Sequence, residues 1–168
     1  GSVSDLPYFL DKYHNLRYCI AINSSKIRFD LDSLYGKLDR SANLVHETAV
    51  IGSDCSFENG ITMGPYSVLT TGVKLGRHTH INTAASINQN ASLGRYCTVS
   101  PGSRICGDIN IGDITSVGAG STIINFKNVG SNCIIGAGAV VISDIPDNCT
   151  VVGVPGKIIK DNQGDYNG

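Results

Sequence analysis

The 168-residue chain has no tryptophan, a single methionine and no apolar run approaching twenty residues, so nothing in it reads as a membrane-spanning helix. It also lacks an excess of charge of either sign. Thirteen Lys and Arg against fourteen Asp and Glu give a net charge of −1, which leaves no basic footprint for nucleic acid or an anionic membrane surface. The six cysteines include no CxxC pair and no His/Cys spacing suited to a structural metal. No signal-peptide pattern opens the chain, and Gly1-Ser2 reads as a scar of tag removal. Cys55, Cys97 and Cys133 read as buried small hydrophobes, which points to a reducing cytoplasm.

What is present is a period of six. From Val45 to Val141 a large apolar residue recurs at every sixth position, through Ile51, Phe57, Met63 and onward, with no slot missed in seventeen. Two residues before most of them stands a small one, such as Cys55, Ser67, Ala85, Cys97 or Cys133, and glycine often follows, as at Gly52, Gly94 and Gly136. Six matches neither the helical period of 3.6 nor the strand period of 2. It matches a chain folded into short flat faces with a corner after each, three faces to a triangular coil. Coils spaced at about 4.8 Å, roughly five of them, predict a parallel β-helix about 25 Å tall. A convex prism offers no cleft, so a deep site is expected between protomers.

Residues 1–40 lack the period. Leu16 to Ile22 reads as a short buried strand, and Asn23 to Ser25 offers capping chemistry for a helix from about Lys26 to Tyr35, ended by Gly36. This β-α segment is expected to pack on the end of the prism and shield an open β edge. After Val141, one more strand is predicted at Thr150 to Val152, followed by the turn Gly153 to Gly156. Residues 159–168 read as a flexible polar tail.

The hexapeptide coils followed by DIPDNCTVVGVPGK, with the blocks NLVHETAVIG, INTAASI and VSPGSRICGDINIG, resemble the left-handed β-helix acyltransferases. The likeness is to the branch that holds the bacillosamine and perosamine N-acetyltransferases and the sialic-acid O-acetyltransferases. The resemblance covers about residues 18 to 158. It implies an all-β fold, a left-handed parallel β-helix over residues 41–158 preceded by the remnant of a sugar-nucleotide-binding domain. It also implies a homotrimer, acetyl-CoA as co-substrate, no metal, and transfer of acetyl to an amino or hydroxyl group of an activated sugar in surface glycan synthesis.

By the same resemblance, Gln89 stands in the slot of the family's catalytic histidine, Asn90 where an acidic partner would orient it, and Asn88 beside both. A glutamine amide has no useful basicity near neutral pH. Thr98 stands where a second histidine contacts acetyl-CoA. His80, eighteen residues earlier, should stack with Thr98 on a ridge beside the groove, which makes it a candidate substitute base or, as a bland alternative, a surface histidine. Gly107, Ala119 and Ala137 match places where backbone lines the acetyl-CoA groove, and Lys157, with Lys160, matches positive charge near the cofactor phosphates. Arg95 and Arg104 are weaker candidates. Asn23 stands near a sugar-nucleotide contact, although no glycine-rich phosphate loop precedes it.

Among the remaining residues, Cys106 lies off the inward register, so a thiol nucleophile there is conceivable. His46 reads as a cap of the first coil, His14 as exposed, and His78 as pointing away from the ridge. Two rivals remain: a catalytically silent β-helix serving as a binding or assembly module, and the C-terminal half of a larger transferase.

Overall fold

The computed structural model describes residues 2–36 and 40–161, and builds them around three parallel sheets that form the walls of a triangular prism. Face I carries Leu44–Val45, Thr62–Met63, His80–Ile81, Thr98–Val99, Ser116–Val117, Ile134–Ile135 and Cys149–Val152. Face II runs from Val50–Ile51 to Val140–Val141, and face III from Ser56–Phe57 to Asn128–Val129. Strands of two residues suffice because each coil repeats the previous one: Leu44 pairs with Thr62, Val50 with Val68 and Ser56 with Lys74, eighteen residues apart. The prism has about six coils rather than five. Its last step pairs Ile134 with Thr150, two residues short of eighteen, so the final coil lies beyond the reach of the six-period.

The large register points inward and is sealed from Met63 onward: Leu69, Ile87, Val99, Ile105, Val117 and Ile123 are wholly buried. Each such side chain contributes about 1.5–3 kcal/mol. The first coil has nothing beneath it, and Val45 and Ile51 remain 45% and 40% exposed. The small register fills the corners and closes hydrogen bonds there, Ser103 Oγ donating to the Gly118 carbonyl at 2.8 Å and Thr115 Oγ1 to that of Gly130 at 2.8 Å. Glycine is needed where coils touch: a methyl group on Gly76 would lie 2.6 Å from the carbonyl carbon of Gly94.

The N-terminal segment departs from expectation in two ways. Among the described residues, Leu16 to Ile22 forms a single bridge, Tyr18 to Ser41, rather than a strand. Before it lie a 3-10 turn, Val3–Asp5, and a helix α1, Leu6–Lys12, with Pro7 in its first turn. Helix α2, Ser25–Tyr35, begins one residue earlier than predicted, Ser24 capping the Ile27 N–H, and Gly36 follows it. More important is where α2 goes. It lies on the flank of the prism, across face I, and leaves the open end uncovered.

The reason is polar. Arg28 is fully buried and donates to the carbonyls of His78, Tyr96 and Cys97 on the prism and to those of Ile22 and Asn23 on its own segment. One turn on, Asp32 takes a two-pronged salt bridge from Arg77 at 2.6 and 2.9 Å, a hydrogen bond from Tyr96 Oη at 2.7 Å, and a contact with His78 Nε2 at 3.1 Å. At the far end, Lys157–Asp161 returns antiparallel to Cys149–Val152. The expected flexible tail therefore begins with a strand through Asp161, and its remainder, 162–168, lies outside the described residues.

Candidate functional site

The corner between faces II and III holds Asn88, Gln89 and Asn90. Asn90 takes the left-handed backbone (φ +57°) that turns the chain, a conformation asparagine tolerates, and its Nδ2 donates to Asp108 Oδ1 of the next coil at 3.0 Å. Asn88 Nδ2 donates to the Ile105 carbonyl at 2.9 Å. Both flanking asparagines are thus spent on fixing the corner. Gln89 is not: its side chain is exposed and lies flat against Gly107, so closely that a methyl group there would collide with the Gln89 amide. Among the described residues the Gln89 side chain has no hydrogen-bond partner, and no acceptor is paired with the Gly107 N–H.

The corner between faces I and II is a column of small residues. Ala119 and Ala137 are exposed, and beside them Gly120 and Gly138 adopt φ of +65° and +68° with open space where a side chain would stand. Gly120 N–H bonds to the Pro101 carbonyl and Gly138 N–H to that of Ala119, which leaves the Ala119 and Ala137 N–H groups unpaired among the described residues. In one protomer the two corners are opposite edges of face II. Exposed Val50 stands on that face, in the first coil, and exposed Ile142 follows its last strand at the face II–III corner. Lys157 is exposed in the closing hairpin.

His80 and Thr98 do pair across neighbouring coils of face I, but they are 6% and 2% exposed and sit beneath the N-terminal segment. Thr98 Oγ1 is consumed there, donating to the Asn23 carbonyl at 3.1 Å and accepting from Arg28 Nη2 at 2.9 Å, with Ser25 Oγ at 3.1 Å. The expectation that Thr98 touches a donor groove is corrected accordingly. His80 cannot serve as a substitute base: burial, with Arg28 and His78 nearby, pushes its pKa down to about 3, and its Nε2 is buried without a partner. Asn23, by contrast, is exposed, with its carbonyl held by Arg28 and Thr98.

No sequence signal announced the Asp32 cluster. His78 is wholly buried and stacked on Tyr96, both in left-handed corner positions where Asn, Asp or Gly is usual. Burial holds His78 below the usual imidazole range in spite of Asp32 beside it. Cys106 is half-buried against the core, and His46 caps the first corner through Thr48 at 2.9 Å. No group of His, Cys, Asp and Glu among the described residues is arranged to hold a metal ion.

No protein-family profile matches the chain, and no curated protein sequence does. Solved structures do. The acetyltransferase domain of PglB from Neisseria gonorrhoeae, in complex with acetyl coenzyme A, is 27% identical over 90% of this chain and 76% of its own, with a TM-score of 0.86. PerB from Caulobacter crescentus, in complex with CoA and GDP-perosamine, is 28% identical over 94% and 76%, with a TM-score of 0.87. WeeI from Acinetobacter baumannii is 31% identical over 84% and 69%, with a TM-score of 0.81. With the fold shared over so much of both chains and 31% identity to WeeI, this protein belongs to the hexapeptide-repeat, left-handed β-helix sugar acetyltransferases.

Proposed function

We propose that the protein moves an acetyl group from acetyl-CoA to an amino or hydroxyl group of a nucleotide-activated sugar, in the cytoplasm, as a step of surface glycan synthesis, and that it does so as a homotrimer. The observation that carries this reading is the Gly107 corner: a backbone N–H unpaired among the described residues, with an uncommitted side chain against it, at a residue that by resemblance matches a place where the family's backbone lines the acetyl-CoA groove. Such an N–H can hold the carbonyl oxygen as negative charge develops on it. Acetyl-CoA or CoA is bound in the PglB and PerB structures, which supports the same use here.

The places of the small corners support a trimer. Packed about an axis facing face II, three copies would bury Val50 and Ile142 and bring the Gly107 corner of one against the Ala119 and Ala137 corner of the next. A pantetheine arm would lie between the Gly107 backbone of one copy and the column Ala119, Gly120, Ala137 and Gly138 of the next, and Lys157 would supply charge for phosphates beyond them. Helix α2 and Asn23 would offer acceptor contacts from the flank.

Calorimetric titration with acetyl-CoA tests the reading without needing the acceptor. One site per protomer in the micromolar range, about −8 kcal/mol, is expected; no detectable binding at millimolar ligand would remove it. A second reading, a silent binding module, is favoured by one feature, the glutamine in the slot of the base.

A further inference from the structure

We infer that Gln89 is a hydrogen-bond donor to the thioester oxygen, paired with the Gly107 N–H, and that the site accordingly serves an acceptor that is already a nucleophile at neutral pH. The inference rests on the acetyl-transfer reading above and adds to it the class of acceptor. A glutamine side chain offers two N–H donors and no proton-accepting nitrogen. Here that amide is uncommitted and lies directly over Gly107, whose own N–H is unpaired. Two uncommitted donors at one small residue are parts from which an oxyanion hole is built, in which side-chain amides and backbone N–H groups are interchangeable.

The rest of the corner contains no base. Asn88 is bonded to the Ile105 carbonyl, and the Asp108 carboxylate is engaged by Asn90. His80 and His78 are sealed under α2 on another face. An alkylammonium acceptor would arrive with its lone pair occupied and find nothing to remove the proton. An acceptor amine that is neutral at pH 7 has no such need. Its nitrogen lone pair forms the C–N bond while the carbonyl π electrons move to the oxygen held by Gln89 and Gly107. Collapse then breaks the C–S bond, and the CoA thiolate takes the proton that the nitrogen sheds, so no enzyme base enters the balance.

The test uses the full chain, acetyl-CoA and hydroxylamine, a small nucleophile that is neutral at pH 7 and yields acetohydroxamate plus CoA. Saturable acceleration by the wild type is expected. Gln89→Leu, an exposed change of similar size, should lower kcat about 100-fold with a much smaller effect on the calorimetric Kd for acetyl-CoA. Unchanged kcat in Gln89→Leu would overturn the inference. So would acetyl-CoA binding by the wild type with no turnover of hydroxylamine, which leaves the donor-binding reading standing. Absence of acetyl-CoA binding removes both.

Discussion

At the scale of single residues, the chain keeps side chains where its backbone would prefer asparagine or glycine. Phe126 is the clearest case, 71% exposed at φ +60° on the same corner column as Asn90 and Asp108. An L residue in that conformation is strained by roughly 1–2 kcal/mol, and a bulky one has little to recover it by when exposed. Phe126→Asn is therefore expected to stabilise the protein by about 1 kcal/mol, read as a higher thermal midpoint. Gln89→His is the complementary change at the site. It places a titratable base at the corner, so turnover of an alkylamine acceptor should appear and should rise with pH through the imidazole range. A flat pH profile in that variant would mean that the corner does not meet the acceptor.

At the scale of elements, the decisive feature is α2 on face I. Arg28→Met keeps much of the volume but strips donors from the carbonyls of His78, Tyr96 and Cys97, so a loss of about 3 kcal/mol is expected in denaturant titration. The same contact is acid-sensitive. His80 has a folded pKa of about 3 against about 6.5 when unfolded, so below pH 6.5 the unfolded chain binds a proton that the folded chain refuses. Stability must then fall as pH drops from about 6.5 toward 3. His78, held low by burial, acts in the same direction. So does Asp32: burial opposes its charge, but hydrogen bonds from Arg77 and Tyr96 outweigh it and hold the carboxyl low, and that contribution is lost as acid protonates it. Thermal midpoints measured from pH 8 to 4 should be level at first and decline below about 6.5, less steeply in His80→Leu.

These elements show how far the sequence could be read. The α2 helix was legible, since Ser24 and Gly36 bracket it with local chemistry. Its seat was not, because Arg28 and Asp32 look like ordinary charged helix residues until the carbonyls of corners 50 to 70 positions away are brought beneath them. Thr98 and His80 were misplaced for the same reason. Their spacing of eighteen correctly put them on one ridge, and nothing in that spacing said that the ridge was covered.

At the scale of the whole molecule, exposed Val50 on face II and exposed Ile142 at its edge belong to the surface proposed to pack against neighbouring copies. Val50→Asp with Ile142→Asp should dissociate the trimer in sedimentation equilibrium, leave circular dichroism intact and weaken acetyl-CoA binding at least tenfold. Loss of assembly with full binding would place the donor site within one protomer. A monomeric wild type would contradict the arrangement altogether.

The sequence by itself determined the prism, because one inward residue every six positions is a local rule that each coil can obey without knowledge of any distant segment. Counting along that rule also puts Gln89 and Gly107 at one corner of successive coils, while their choice as site residues came from the family resemblance. Only the tertiary structure decided which face the N-terminal segment covers, which histidines are thereby buried and neutral, and which amide lies over Gly107. Those outcomes depend on contacts between chain positions with no common period, and desolvation and hydrogen bonding across such contacts leave no trace in composition or spacing.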